Sequence, residues 1–212
     1  YAAGFEMFDT DSTFVRISWN SKPKVMENSL FFAKWGRSSV HSNKTLNLLL
    51  SHFSGYETEV VKTGNAGEHA LTVDLALNLE YASGYAVETH HYVNIIESWG
   101  GILPPKEQIA HRDKVTICQI ESRNPHLHES KGDEHVEDMI DASLSVIYNS
   151  PLCPELLKRE IAEERATRLK LDKPEGVAPV RVYSNLCNLN LDTFLEHCEA
   201  AFSNESESLS LV

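Results

Sequence analysis

Apolar residues recur at helical spacing in the middle of the chain. The first run places Leu71, Leu75, Leu79 and Ala82 on one face, as in an amphipathic helix, and Thr72 can serve as its N-cap. Ser83-Gly84 interrupts the pattern as a tight corner. A second helical run extends from Tyr85 to Ile96 and ends before Gly100. This region therefore predicts two consecutive helices, and a turn at Gly64–Gly67 precedes them.

The residues before this unit predict shorter elements. Alternating apolar positions predict a strand over Phe14–Trp19. The elements expected after it are a turn at Asn20–Pro23, a short helix within Glu27–Gly36 capped by Asn28 or Ser29, a helix over Lys44–Phe53 capped by Ser42 or Asn43, and a strand or hairpin edge over Glu57–Lys62. Two short helices separated by Gly36–Ser42 resemble a helix-turn-helix.

The residues after the unit predict a second group of elements. Gly100–Asp113 is rich in glycine and proline and is typical of a linker. The elements expected beyond it are a strand over Lys114–Ile120, a helix over Glu134–Asn149 capped by Asp133, a charged helix over Glu155–Leu171, a short strand over Val180–Tyr183 and a helix over Asp192–Ala201.

These elements predict an α+β fold in two parts. The first, residues 1–101, is a small α+β domain with helix pairs. The second, residues 114–203, is a mainly helical α+β part. Its charged helix over Glu155–Leu171 has a narrow apolar stripe, which suits partner binding or homo-oligomerisation. Residues 204–212 form a polar tail.

Composition narrows the class of protein. In 212 residues the apolar fraction of 42% is sufficient for a buried core, and no apolar run approaches the roughly 18 residues that span a bilayer. The four cysteines include no CxxC pair. Scattered cysteines of this kind fit reduced thiols, so the sequence predicts a cytoplasmic protein without a membrane partner.

Charge is distributed unevenly along the chain. The formal net charge of -12 argues against a generic polyanion binder. Residues 12–65, however, carry seven basic side chains against three acidic ones, and residues 67–103 carry five acidic side chains and no Lys or Arg. The first part therefore offers a basic surface that an acidic ligand could use.

The central stretch resembles a known family. The residues that carry the resemblance are Lys62-x-Gly64-Asn65-x-Gly67, the box Leu71-Thr72-x-Asp74-x-Ala76, Ser83-x-Tyr85-Ala86-Val87, Val93 and Ile96. They resemble the end of the KilA-N domain and phage antirepressor N-terminal domains. Phe31–Trp35 resembles the family's tryptophan-bearing segment, while Glu27-Asn28-Ser29 stands where the family has Asp/Asn-Ala-Thr.

The resemblance implies a phage- or prophage-type regulator that binds double-stranded DNA in the cytoplasm of a bacterial host or its equivalent. Lysine and arginine would neutralise phosphates, and Asn, Ser or Arg would contact base edges. The residues assigned to this interface are Lys34, Trp35, Arg37, Ser38, Asn43, Lys44, Lys62 and Asn65. An alternative is an acidic protein-binding module that blocks or mimics a regulator.

The glycine turn has two interpretations of its own. Backbone N–H groups of Gly64–Gly67, beside Lys62, could cradle a phosphate. The simpler interpretation is a turn between two elements.

Histidines supply the strongest candidate metal cluster. His126 and His128 share one side of an extended segment, and His135 with Asp138 follows at helical spacing. No HExxH or equivalent spacing supports a metal site, so we expect no metal and no cofactor. A metal-dependent hydrolase that uses these histidines is the third interpretation. With no GxSxG, Walker or GxGxxG motif in the sequence, no catalytic residues are predicted.

Overall fold

A computed structural model gives the fold of the chain. It describes residues 1–6, 12–20, 24–26, 29–31, 35–100, 115–125 and 133–188, together with residues 190, 192, 195 and 196. The predicted linker, apart from Gly100, and nearly all of the predicted helix over Asp192–Ala201 lie outside these ranges.

The described residues form a mixed α+β structure, as predicted. The helices are α1 (Ala2–Glu6), α2 (Arg37–Ser54), α3 (Val73–Asn78), α4 (Val87–Trp99), α5 (Asp133–Tyr148) and α6 (Glu155–Leu169). The strands are β1 (Thr13–Asn20), β2 (Lys24–Met26), β3 (Ser29–Phe31), β4 (His69–Leu71), β5 (Tyr81–Ala82), β6 (Thr116–Pro125) and β7 (Val182–Tyr183). Within the described helices, none is long and apolar enough to cross a membrane.

A three-stranded sheet has β1 at its centre. β1 is antiparallel to β4, with Phe14 opposite Leu71, and parallel to β6, with Val15 opposite Cys118. Phe14 and Val15 point to opposite faces and are both fully buried, because each face of the sheet is covered. The predicted strand over Phe14–Trp19 is therefore confirmed. A parallel pair needs a long connection, and here it runs from residue 20 to residue 116.

The predicted helix within Glu27–Gly36 is wrong. β2 and β3 pair as an antiparallel hairpin, with Val25 opposite Leu30. Short apolar runs do not distinguish helix from strand by periodicity, and the aromatic residues at this point favour a strand.

The helix-turn-helix prediction is wrong as well. α2 begins at Arg37, directly after Gly36, and continues without a break to Ser54. The serines and histidine before Lys44 suggested a loop, but no glycine or proline interrupts Arg37–Ser54. Packing of α2 against α5 outweighs the weak helix propensity of these residues.

The predicted strand over Glu57–Lys62 is not regular structure. Side-chain amides take the place of a strand partner. Asn47 accepts from the Val61 nitrogen and donates to the Val61 carbonyl, both at 2.9 Å. Gln119 donates to the Val60 carbonyl at 2.8 Å.

The two central helices are confirmed, with changed boundaries. α3 begins after Thr72, but the Thr72 hydroxyl accepts from the Thr13 nitrogen at 3.3 Å instead of capping the helix. α3 ends at Asn78. The next element, β5, pairs with β7. α4 ends at Gly100, whose φ of 77° is in the left-handed region that glycine adopts readily.

The later elements agree with the sequence in type. β6 extends to Pro125, further than predicted, because β1 pairs along nearly its whole length. α5 and α6 match the predicted helices to within two residues at each end.

Two apolar clusters form the core. The larger joins α2, α4, α5 and α6, with members that include Leu46, Tyr92, Ile140 and Leu157. The smaller lies between the sheet and α3 and comprises Phe14, Leu75, Leu79, Ile95 and Val115. Both clusters, like the sheet, contain residues from each side of 101–114. The division into domains 1–101 and 114–203 remains a prediction.

The narrow apolar stripe of α6 is used inside the chain. Leu157 and Ile161 are only 1% and 4% exposed, and both belong to the larger cluster. The stripe over Glu155–Leu171 therefore covers the chain's own core. Homo-oligomerisation stays a prediction, and it would need another surface.

Candidate functional site

A buried polar network surrounds the predicted turn at Gly64–Gly67. The turn closes through a hydrogen bond from the Ala66 nitrogen to the Thr63 carbonyl, 3.2 Å long. Side chains from β1, α2, α4 and β6 then hold it. Such extensive tethering of a short irregular segment is typical of a loop whose exact geometry matters.

Gly64 is fixed from two sides. Its nitrogen donates to Asn43 Oδ1 at 2.7 Å, and its carbonyl accepts from the Thr89 hydroxyl at 2.9 Å. A Cβ at this position would lie 2.8 Å from Leu46 Cδ1. Only glycine fits without displacing the α2 side chains, so the close approach of the turn to α2 explains this residue.

Thr63 and Gln119 anchor the residues that lead into the turn. Gln119 Oε1 accepts from the Lys62 nitrogen at 2.7 Å and from the Thr63 hydroxyl at 2.9 Å. The Tyr92 hydroxyl lies 2.7 Å from that of Thr63, and burial raises the pKa of Tyr92. Side chains of β6 and α4 therefore hydrogen-bond to the same segment, Lys62–Thr63.

Arg16 connects the turn to α4. Its guanidinium donates to the Ala66 carbonyl at 2.9 Å and to the Glu88 carbonyl at 3.1 Å. It lies 4.8 Å from the ring centroids of both Phe14 and Tyr92. Arg16 is fully buried, and burial lowers its pKa. Placing a cation here is costly without such partners.

Glu88 brings a carboxylate to the exposed end of the turn. It lies in the first turn of α4, where the helix dipole favours a negative charge. Its Oε1 is 3.5 Å from the point where a Cβ of Gly67 would stand. Burial raises the pKa of Glu88, and nearby Glu68 raises it further while Arg16 lowers it. Gly67 is exposed and Glu88 is half-buried, and a Cβ at Gly67 would be in ordinary van der Waals contact with this carboxylate.

Two histidines lie close to the buried arginine. The His91 ring packs edge-on against Phe14, His69 and Tyr81, with centroid distances of 5.3 to 5.5 Å. Burial lowers the pKa of His91 to about 2 and that of His69 to a lesser degree, with Arg16 adding to both effects. These imidazoles are therefore neutral parts of the packing around the network.

The residues predicted to bind DNA differ in their exposure. Lys34 lies outside the described ranges. Trp35 and Ser38 are half-buried, Arg37 and Lys44 are exposed, and Asn43 is buried under the turn. Of the set, Asn43, Lys62 and Asn65 belong to the turn and its support.

Arg37 belongs to a network of ion pairs between α2, α5 and α6. It forms an ion pair with Glu137 of α5. Glu137 also pairs with Arg168 of α6, which contacts Asp141 and Glu164 as well. These contacts join α2, α5 and α6, and the Arg37 charge that the sequence assigned to DNA phosphate is paired within the chain.

The histidine cluster is described only in part. His126 and His128 lie outside the described residues. The His135 ring packs edge-on against Tyr85, with centroids 4.8 Å apart. In the part of the chain that the structure covers, no three His, Cys, Asp or Glu side chains are grouped so as to hold a metal ion.

Sequence reasoning missed the residues at the centre of the network, Arg16, Glu88, Thr89 and Gln119. One signal was available for Arg16. It shares a strand face with Phe14 in an otherwise apolar segment, and a charge in such a position is usually paired or functional. Glu88 offered a weaker signal as an acid within a largely buried helix.

Comparison with known proteins identifies the relatives of this chain. The family model for mannosyl-3-phosphoglycerate synthase matches residues 1–198. A mannosyl-3-phosphoglycerate synthase of Pyrococcus furiosus is 38% identical over 210 residues, which are 99% of this chain and 52% of that protein. One of Aeropyrum pernix is 32% identical over 203 residues, or 92% of this chain and 52% of its own length. The chain thus spans about half the length of these curated relatives.

These matches overturn the KilA-N resemblance and the functions attached to it. A phage regulator that binds DNA, a protein-binding module and a metal-dependent hydrolase are all wrong as descriptions of a chain whose relatives are synthases. The predicted partners, double-stranded DNA and a regulatory protein, are therefore wrong as well. The resemblance rested on glycine, small and apolar residues, which any turn followed by two helices supplies.

Proposed function

We propose a role in glycosyl transfer for this chain, which belongs to the mannosyl-3-phosphoglycerate synthase family. It forms part of an enzyme that joins a mannosyl group to 3-phosphoglycerate. The observation that carries the proposal is the family match over residues 1–198. Because the chain spans about half of its curated relatives, we assign it a share of the active site, centred on the Gly64–Gly67 turn.

The chemistry named by the family sets the requirements. The hydroxyl oxygen of the glycerate forms a bond to the anomeric carbon of mannose, the bond from that carbon to its leaving group breaks, and the hydroxyl proton is released. Such a site needs acceptors for sugar and glycerate hydroxyls. It also needs positive groups for the phosphate and carboxylate of the acceptor.

Glu88 suits the first requirement. A carboxylate accepts hydrogen bonds from hydroxyl groups through both oxygens. Gly67 is exposed and lies beside Glu88 Oε1 without a side chain of its own, so a ligand atom could make the contact that a Cβ there would make. A buried network with Arg16 at its centre fixes the backbone on either side, and preorganised groups of this kind favour catalysis over simple binding. We therefore assign Glu88 to a substrate hydroxyl.

Lys62 and Asn65 suit the second requirement. Lys62 is exposed directly beside the turn, where its ammonium group can neutralise a phosphate. Asn65 Nδ2 is buried without a hydrogen-bond partner among the described residues, so it can donate to a ligand. The backbone of the turn contributes less than the sequence suggested, since the Gly64 and Ala66 nitrogens already donate within the chain.

A cytoplasmic location remains part of the proposal. Cys118, Cys153 and Cys187 are free thiols, which fits a reducing compartment.

Product formation tests the proposed function. In the Pyrococcus furiosus synthase, this chain would replace the 210 residues that it matches. The chimeric enzyme is incubated with an activated mannose donor and 3-phosphoglycerate, and mannosyl-3-phosphoglycerate is detected by mass spectrometry. We expect product only when both substrates are present. A chimeric enzyme that melts cooperatively, like its parent, but yields no product would refute the proposal.

A further inference from the structure

We propose that Arg16 is a positioning residue that fixes the main chain of Glu88, and through it the Glu88 carboxylate, beside the Gly64–Gly67 turn. This role rests on the proposed function insofar as Glu88 serves a substrate.

Arg16 links the turn to the start of α4. Arg16 is the single side chain that donates both to the turn, at the Ala66 carbonyl, and to the start of α4, at the Glu88 carbonyl, among the contacts of the described residues. Its two terminal nitrogens thus fix the Ala66 carbonyl relative to the Glu88 carbonyl. The planar guanidinium can span two acceptors at once, whereas the single ammonium group of lysine cannot do so in the same geometry.

The Arg16 charge is buried away from acidic partners. The side chain is fully buried, and the ion pairs of the described residues involve other basic side chains. Two carbonyls and the faces of Phe14 and Tyr92 stabilise it instead. An apolar residue of similar size would avoid the cost of burying a charge. A purely structural role therefore accounts poorly for an arginine at this position.

The positive charge of Arg16 acts on the Glu88 carboxylate. Glu88 is faced by Arg16 from β1 and by Glu68 from the segment before β4. The groups that border Arg16 besides Glu88 are Tyr92, His91 and His69. Among the charged groups of the described residues, Arg16 favours the ionised form of Glu88 and Glu68 opposes it.

The experiment follows the Glu88 carboxyl directly. Its side-chain carbon is monitored by NMR during a pH titration of the ligand-free 212-residue chain, with Glu88→Gln used to assign the signal. We expect Arg16→Gln to raise the titration midpoint by about half a pH unit or more, since an attracting positive charge is lost. The matched control is Arg159→Gln, because Arg159 is exposed on α6, and it should leave the midpoint unchanged.

A second variant covers the case in which Arg16→Gln fails to fold. Arg16→Lys keeps the charge but loses one of the two carbonyl contacts, so we expect the amide signals of Gly67 and Glu88 to shift. Titration midpoints in Arg16→Gln equal to the parent's would overturn the proposal. If Arg16→Lys is the only variant that folds, unchanged amide signals of Gly67 and Glu88 would also overturn the proposal.

Activity separates this inference from the proposed function. In the chimeric enzyme, Arg16→Lys should lower kcat more than it raises KM. Arg16→Gln should add little to the loss already caused by Glu88→Gln, because both act through one carboxylate. A full additional loss would contradict the positioning role. An inactive chimeric enzyme would refute the proposed function, while a shifted Glu88 midpoint in the isolated chain would still support the positioning role.

Discussion

The backbone nitrogen of Gly64 lies 2.7 Å from Asn43 Oδ1. This bond ties the turn to the middle of α2, and the Asn43 side chain is almost fully buried. Asn43 was predicted from the sequence to contact DNA bases, but in the structure its side chain supports the turn.

Removing the acceptor should destabilise the chain. Asn43→Ala leaves the buried Gly64 N–H without a partner, and we expect a loss of about 1–3 kcal/mol in the free energy of unfolding. Asn43→Asp keeps the acceptor and serves as the comparison. Urea denaturation measures both variants. An Asn43→Ala chain as stable as the parent would show that the bond contributes nothing.

The buried histidine makes stability depend on pH. Burial holds the pKa of His91 at about 2 in the folded chain against a usual 6.5, so below pH 6.5 the unfolded chain binds a proton that the folded chain does not. Folding is therefore most favourable above pH 6.5 and weakens as the pH falls. Between pH 7 and pH 5 the loss from such a histidine is about 1–2 kcal/mol.

A matched substitution isolates this effect. His91→Phe keeps the edge-on packing with Phe14 and Tyr81 but cannot be protonated. Urea denaturation at pH 7 and pH 5 should show a smaller loss of stability for His91→Phe than for the parent. Equal losses in the two proteins would mean that His91 does not control the acid sensitivity.

Adjacent leucines on α6 should respond differently to a charge. Leu157 is 1% exposed and Leu156 is 49% exposed. Leu157→Glu buries an unpaired carboxylate and should cost about 3 kcal/mol or more, enough to unfold a marginal domain. Leu156→Glu should change stability by less than about 0.5 kcal/mol. Circular dichroism during thermal unfolding checks this, and a folded Leu157→Glu chain would contradict the buried position.

The shared sheet predicts how the chain behaves when it is cut. A protease site introduced between residues 101 and 114 separates β1 from β6 in the chain but not in the sheet. We expect the two fragments to elute together in size-exclusion chromatography under native conditions, because both apolar clusters also cross the cut. Fragments that separate, with 1–100 still folded, would support the two predicted domains instead.

Much of the secondary structure was accessible from the sequence. α4, α5 and α6 have clear helical periodicity, and β1 alternates, so local pattern and tertiary packing agree. The hairpin of β2 and β3 was missed because the periodicity of a short apolar run does not distinguish helix from strand. The early start of α2 was missed because its weak helix propensity is outweighed by packing against α5.

The site was harder to predict, since its residues are distant in sequence. Arg16, Glu88 and Gln119 meet only because β1 pairs with β6 and α4 packs beneath the turn. No local spacing encodes that pairing. The glycines of the turn were visible, but without their partners they supported a family resemblance that was wrong.

The most direct measurement compares two glutamates in the chimeric enzyme. Glu88→Gln and Glu160→Gln make the same chemical change, one at the turn and one at an exposed position on α6. With native melting temperatures confirmed, we expect Glu88→Gln to lower kcat/KM for mannosyl-3-phosphoglycerate formation by about 100-fold, and Glu160→Gln to change it by less than about twofold. Product formation that is equal in the two variants would contradict the assignment of the Gly64–Gly67 turn to the active site.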